Sequence, residues 1–318
     1  MRALVAEGLR PECVSLDEVT YVLELFPELD PAEVLYTPNF APRAEVEAAL
    51  AAGVRVTLDN AATLDAWADV WRGREVFVRV DPGVGKGHHA HVRTAGTASK
   101  FGVAADDLAG LAERARQLDA RVVGLHAHVG SGVDEPGAWA ETARTLAAHA
   151  DAHFPEARVL DVGGGLPVPT GGAAPFDLAA AGRALAAFRE ARPEFEVWVE
   201  PGRYLVAEAG VLLARVTQVK QKGDVRYVGL DAGMNSLVRP ALYGAHHDVV
   251  SLSRPDVPDA GPAEIVGPIC ESGDAFARAR PFPEAAEGDV VLIDTAGAYG
   301  AVMASRYNRR APAEEVAI

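Results

Sequence analysis

Short apolar, β-branched runs alternate with longer Ala/Leu/Glu/Arg-rich stretches over the first two thirds of the chain. The runs Glu12–Val14, Glu33–Tyr36, Val54–Leu58, Val76–Val80, Val122–His128, Val159–Val162 and Val197–Glu200 are nearly continuous in apolar residues. That is the pattern of parallel strands buried on both faces. Between them, Pro42–Ala52, Ala61–Val70, Ala105–Leu118, Gly137–His149 and Leu178–Ala191 carry helical spacing. Strand and helix alternating at this interval predict a (β/α) barrel or a doubly wound sheet. The seven strands fall one short of an eight-stranded barrel, and only a short helical stretch, Arg2–Glu7, precedes the first. A barrel without its first strand would give this count, and so would a doubly wound sheet.

After Arg203 the texture changes. Val211–Lys220, Val225–Leu230, Ala263–Ile269, Asp289–Ile293 and Ala301–Tyr307 read as strands, and long helical patterns vanish. Turn residues such as Lys222-Gly223-Asp224 and Glu287-Gly288-Asp289 separate them. A mostly antiparallel second domain is expected, dividing the chain into 1–205 and 206–318. The Pro/Asp/Gly-rich stretch Arg254–Pro262 reads as an exposed loop.

The chain has 318 residues, 49% hydrophobic and 24% charged, which is ordinary for a globular enzyme. A formal charge of −15 argues against nucleic acid or an anionic membrane as the main partner. Two cysteines, Cys13 and Cys270, do not make a disulfide scaffold, so a reducing, cytoplasmic setting is the default. The opening MRALVAEGLRPECV lacks the features of a signal peptide, and no run is long and apolar enough for a membrane span.

Candidate chemistry gathers at the C-terminal ends of the expected strands, where barrel enzymes place it. One strand runs into His126-Ala-His128-Val-Gly130-Ser131-Gly132. A histidine there can stack on a flat ring and Ser131 can donate to a phosphate; a hydrogen-bonded core histidine is the bland alternative. The next ends in Gly163-Gly164-Gly165, where successive N–H groups could point at one anion, or where the chain simply turns. The last ends in Glu200-Pro201-Gly202-Arg203. Its carboxylate can keep a pyridine nitrogen protonated and its guanidinium can clamp a phosphate or carboxylate. In the second domain, Cys270-Glu271-Ser-Gly-Asp274 sets a thiol beside a carboxylate, Arg239 and Tyr243 lie four apart, and Tyr299 stands between small residues. His88-His89-Ala-His91 lacks acidic or Cys companions and reads as a solvated loop rather than a metal site, as does His246-His247.

Five of these motifs, His126–Gly132, Gly163–Gly165, Glu200–Arg203, Cys270–Asp274 and Ala298–Gly300, stand in the order seen in barrel-fold pyridoxal-phosphate (PLP) decarboxylases, and Ser99-Lys100-Phe101-Gly102 matches a sixth. The resemblance spans essentially the whole chain. It implies an α/β fold: a PLP-binding (β/α)8 TIM barrel lacking its first strand, followed by a C-terminal antiparallel β domain. Cys-Glu-Ser-Gly-Asp and Arg-Pro-Ala-Leu-Tyr resemble the diaminopimelate branch; ornithine-type enzymes carry an aspartate after the equivalent cysteine. The stretch from Leu230 through Tyr243, with the His-His after it, most resembles the decarboxylase half of bifunctional aspartate kinase–diaminopimelate decarboxylases, although no kinase segment is present in the sequence.

The resemblance further implies roles. His128 would stack on the PLP ring and Glu200 pair with its nitrogen. Ser131, Gly163, Gly164, Gly165, Pro201, Gly202, Arg203 and Tyr299 would line the cofactor, mostly about its phosphate. Arg203, Arg239 and Tyr243 would grip the substrate's distal carboxylate, Glu271 would hold its distal ammonium, and Tyr299 would also contact substrate. Cys270 would be the proton donor, reaching a partner subunit's site in a homodimer, as would Glu271. The implied reaction converts meso-diaminopimelate to L-lysine and carbon dioxide; no metal, nucleic acid or membrane is implied.

One part of the family pattern is missing. Members hold PLP as a Schiff base on a lysine ending the first barrel strand. The four lysines here, Lys86, Lys100, Lys220 and Lys222, stand in other contexts. With the strand count, this leads to the expectation of a product truncated at its N-terminus. The alternatives are a catalytically silent homologue that binds a ligand or partner subunit, a decarboxylase for another basic amino acid (ornithine, lysine or arginine), or a sugar-phosphate barrel enzyme. The last would explain the phosphate loops but not Cys270–Asp274 or Arg239–Tyr243.

Overall fold

The computed structural model describes residues 1–83 and 99–318. The histidines at 88, 89 and 91 and Lys86 lie outside the described residues. The chain divides into two compact units, Met1–Gly165 with Asp177–Pro201, and Leu166–Phe176 with Gly202–Ile318.

The first unit alternates strand and helix in chain order: α1 (Arg2–Ala6), β1 (Glu12–Cys13), α2 (Leu16–Leu25), β2 (Leu35–Tyr36), α3 (Arg43–Ala52), β3 (Arg55–Leu58), α4 (Thr63–Ala66), α5 (Ala68–Trp71), β4 (Glu75–Asp81), β5 (Val103–Ala104), α6 (Leu108–Gln117), β6 (Arg121–His126), α7 (Ala138–His153), β7 (Val159–Asp161), α8 (Leu178–Ala191) and β8 (Glu196–Trp198). Its sheet is parallel, in the order β1-β2-β3-β4-β6-β7-β8, with two-residue β5 branching from β4. The seven expected strands are therefore the seven of this path, in sequence order, and the doubly wound alternative falls, because that fold reverses its strand order. The central runs are Val- or Leu-rich because both faces are covered: Val56, Phe77, Val78, Leu125 and Leu160 are all buried, whereas the terminal β1 and β8 are partly exposed. The helix expected over Ala61–Val70 is broken into α4 and α5 at Trp67, whose φ of −128° and ψ of 41° are not helical.

The second unit carries α9 (Gly202–Val206), β9 (Leu212–Lys222), β10 (Val225–Leu230), α10 (Arg239–Tyr243), β11 (Val249–Ser251), β12 (Asp259–Val266), β13 (Ala275–Pro283) and β14 (Val290–Ile293). The sheet order is β11-β14-β9-β10-β12-β13; all pairs are antiparallel except β10–β12. Val216, Val228, Leu230, Ile265, Phe276, Phe282, Val291 and Ile293 form its core.

Two expectations are corrected here, and one strand appears that the sequence did not announce. Ala301–Tyr307 is not a strand but two 3-10 turns, Ala301–Met303 and Tyr307–Arg309, because its residues are largely exposed and offer no apolar face to a sheet. The loop expected over Arg254–Pro262 turns into β12 at Asp259. It pairs with β13, whose arginines and prolines disguise it in the sequence. Pro281 and Pro283 are tolerated there because β13 lies at the sheet edge, where a missing N–H costs no ladder bond.

Candidate active site

Residues that break the apolar runs of the first unit meet at the C-terminal ends of its strands. His126 closes β6, Asp161 closes β7 and Glu200 follows β8. Each brings a side-chain atom within 4.8 Å of the others. His126 Nε2 lies 3.4 Å from Glu200 Oε1, and His128 Nδ1 lies 3.9 Å from Glu200 Oε2. Both ring nitrogens of His126 and Oε1 of Glu200 are buried without a hydrogen-bond partner. Burial raises the Glu200 carboxyl above its ordinary range, and Arg79 pulls it back. Asp161 is raised to about 7, first by burial and then by the Glu200 charge. Glu12, on β1, is pushed up by the same two causes, although the residue is exposed overall.

His128 accepts the Gly164 N–H at Nδ1, 3.1 Å away, and burial holds its imidazole down at about 3. A neutral, oriented ring results, suited to stacking against a flat ligand. The glycine run is tight rather than open. A Cβ on Gly164 would lie 2.2 Å from the Glu200 carbonyl oxygen, and one on Gly165 2.3 Å from that of Gly130. The N–H of Gly163 is taken by Asp161 Oδ1 and that of Gly164 by His128, so these two do not converge on one anion, and of the two sequence readings the turn is the one they fit. The run brings three strand ends together, which a side chain would prevent. Ser131 follows on the partly buried β6 loop, and Pro201 is partly buried beyond Glu200.

The Ser99–Gly102 motif has a local explanation. The Phe101 ring lies 4.5 Å from the Arg79 guanidinium, and the Gly102 N–H donates to Asp59 Oδ1 at 2.8 Å. Arg79, buried, is thereby fixed among Asp59, Asn39 and Phe101. Lys100 is exposed, its Nζ 5.3 Å from the Phe101 ring, and Lys220 and Lys222 are exposed on β9. Among the described residues, no lysine is buried.

In the second unit, Arg203 and Arg239 are close enough for Arg239 to depress the Arg203 guanidinium, after burial itself; Tyr299 pulls the other way. Arg239 is likewise lowered by burial, against Tyr299 and Tyr243. Among the described residues neither arginine has an ion pair, and Arg203 Nε is buried without a partner. Gly202 opens the short helix α9 and is exposed, as is Tyr299, whose φ of 58° is unusual for a bulky residue. Two guanidiniums without an acidic partner among the described residues, Arg239 buried and Arg203 partly buried, beside two phenols make a grip for an anion.

Cys270 and Glu271 sit exposed on a loop held from several directions. Asp274 accepts the N–H groups of Met234 and Ile269, each at 2.6 Å. The Cys270 N–H donates to Asn308 Oδ1 at 2.7 Å, and the Tyr307 hydroxyl donates to Glu271 Oε1 at 2.8 Å. Sequence reasoning missed His126, Asp161, Arg79, Tyr307 and Asn308. The first three were visible as polar residues inside apolar strand runs; the last two carried no local signal. His247, read as solvated, is fully buried.

This arrangement has relatives. The family profile described as "Pyridoxal-dependent decarboxylase, pyridoxal binding domain" matches residues 1–207. The chain is 37% identical over 330 residues to the diaminopimelate decarboxylase of Methanothermobacter thermautotrophicus, covering 100% of this chain and 76% of that protein. The chain belongs to the diaminopimelate decarboxylase family. A crystal structure of diaminopimelate decarboxylase superposes with a TM-score of 0.89 at 32% identity, over 97% of this chain and 78% of that one. The Helicobacter pylori enzyme complexed with L-lysine gives 0.85 at 28% identity, over 96% and 78%. The fold is thus the barrel plus β domain of pyridoxal-dependent decarboxylases, and the family's cofactor is pyridoxal phosphate. The residues present fit that group without a covalent link. In the first unit a buried carboxyl with an orphaned oxygen can meet a ring nitrogen and a neutral imidazole can face a ring; in the second, taken by itself, an orphaned guanidinium nitrogen can meet an anion.

Proposed function

We propose that the chain is a carboxy-lyase acting on meso-2,6-diaminopimelate, releasing carbon dioxide and L-lysine in lysine biosynthesis. The observation that carries the substrate reading is the pair of buried Arg239 and partly buried Arg203, whose Nε is orphaned, without an acidic partner among the described residues and beside Tyr243 and Tyr299. Guanidiniums so withdrawn from water call for an anion, and a substrate with a second carboxylate at its far end supplies one. Glu271 would hold the distal ammonium.

When bound, pyridoxal phosphate supplies an electron sink for the pair left by departing carbon dioxide. His128 would orient its ring, and Glu200 would hold a proton at its nitrogen. Ser131, Gly165, Gly202, Arg203 and Tyr299 would serve its phosphate, with Gly163, Gly164 and Pro201 shaping the strand ends. The Cys270 thiol would return a proton to the reacting carbon, serving the second copy in a head-to-tail homodimer.

The test is to supply the chain with pyridoxal phosphate and each of meso-diaminopimelate, L-ornithine and L-arginine, and follow carbon dioxide. Release confined to meso-diaminopimelate is expected; preference for another substrate overturns the assignment. None of the described lysines is buried. Borohydride is therefore expected to fix no cofactor on Lys100, Lys220 or Lys222, and turnover to be slow, since covalent activation by a desolvated lysine is not available from them. The same placement of lysines favours, as a second reading, a homologue that binds these ligands without turning them over.

A further inference from the structure

We infer that His247 is a positioning residue that aims the Arg239 guanidinium at a carboxylate by offering it an unprotonated ring nitrogen. The inference rests on the reading of Arg239 as a substrate grip. His247 is 0% exposed. Its Nε2 lies 3.2 Å from Arg239 Nη1 and its Nδ1 lies 2.8 Å from the Asp294 carbonyl oxygen. A guanidinium can only donate and a carbonyl can only accept. Nε2 must therefore be bare and Nδ1 must carry the hydrogen, which fixes both tautomer and charge.

The surroundings enforce this arrangement. Asp294 Oδ1 accepts the Asp248 N–H at 2.8 Å and the Thr295 hydroxyl at 3.1 Å. Thr295 is buried and has φ of 49°, a conformation that a β-branched residue adopts only when its neighbours impose it. From the other side, Arg280 donates to the His247 carbonyl at 3.3 Å. β11 and β14 pair directly beyond, Val249 opposite Ile293, so the two segments that meet at the imidazole are set by one strand pair. The groups facing the ring are Arg239, Arg203, Asp294 and the Thr295 hydroxyl, 3.2 Å from Nδ1, with His246, Asp248 and Arg280 about its backbone.

The choice of a neutral acceptor has a reason. A carboxylate in this place would also hold Arg239, but it would cancel the charge that a ligand needs. An imidazole takes one Nη1 hydrogen and leaves the positive charge and the remaining donors for the anion. Burial, first, and the neighbouring arginines lower the imidazole below its ordinary range, against the Asp294 carbonyl and charge.

The test is equilibrium binding on the full chain with pyridoxal phosphate added, using meso-diaminopimelate and D-lysine as probes. D-lysine keeps the reacting end but lacks the distal carboxylate, and serves as the insensitive control. His247→Leu is expected to weaken meso-diaminopimelate about tenfold or more while leaving D-lysine within about twofold, the cost of one charge-assisted contact. His247→Gln, whose side-chain oxygen can accept from Arg239, is expected to restore most of that preference. Equal losses for both probes, or no loss, overturn the inference. Arg239→Ala is the separate control. If the unaltered chain shows no preference for meso-diaminopimelate, or Arg239→Ala keeps it, the reading of Arg239 fails and the inference with it. If Arg239→Ala loses the preference and His247→Leu does not, the inference alone fails. Independently, nitrogen NMR of the ring is expected to show Nδ1–H with bare Nε2 at neutral pH; the other tautomer, or an imidazolium, overturns it.

Discussion

Gly164 has no room for a side chain, since a Cβ there would overlap the Glu200 carbonyl at 2.2 Å. Gly164→Ala should therefore cost about 2 kcal/mol or more through forced displacement of the β8 end, read as a lowered urea midpoint. Asp161 makes a pH prediction. Its folded value of about 7 stands above the ordinary 3.8, so the folded state holds its proton longer than the unfolded state does. Its burial thus costs stability as pH rises from about 4 to about 7, and the full cost stands above that. Asp161→Asn keeps the oxygen that accepts from Gly163 and removes the charge. Its stability relative to the parent should rise with pH over that window and then level off; a constant difference would exclude a raised Asp161. The two cysteines should also separate cleanly. Cys13 is buried with its thiol pushed up to about 12, while Cys270 is exposed. Iodoacetamide followed by peptide mass analysis should modify Cys270 and spare Cys13.

Among the elements, α2 shows how a local signal fixes a boundary. Ser15 accepts the Glu18 N–H at 3.2 Å, and the Glu18 carboxylate accepts the Val14 N–H at 2.8 Å, a reciprocal cap readable as Ser-x-x-Glu. Ser15→Ala should cost about 1 kcal/mol in a melting experiment. The barrel strands were equally legible, because burial on both faces writes itself as Val and Leu runs. Elements built on long-range contacts were not. β13 hides behind arginines that serve the sheet edge, and the 3-10 turns after Ala301 mimic a strand in composition. The site divides the same way. Residues at strand ends, such as Glu200 and His128, could be placed by their position in an apolar run. His247 could not, because its surroundings come from residues 294 and 295, far along the chain. The sequence left the Gly163–Gly165 run open between an anion site and a turn for the same reason: the acceptor of the Gly164 N–H, His128, becomes its neighbour only in the folded sheet.

For the molecule as a whole, the parallel sheet ends in β1 and β8, which pair with each other nowhere among the described residues. Unpaired strand edges recruit other strands. Sedimentation at increasing concentration should therefore show species larger than a dimer; a single dimer across the range would mean that these edges are covered. The charge of −15 should limit, but not abolish, that growth at low salt and permit more of it as salt screens the repulsion.

The closing stretch of chain has a practical side. Tyr307 and Asn308 hold the Cys270 loop, and a few residues on, Asn235 donates to the Ala311 carbonyl while the Ala313 N–H donates to Ser236, just ahead of Arg239. This segment works as a strap laced between the thiol loop and the arginine helix. Anyone fusing a tag or reporter after Ile318, or trimming 311–318 to aid crystallisation, would be pulling on both ends of it at once. Altered ligand preference in such a derivative would report on the handle rather than on the enzyme.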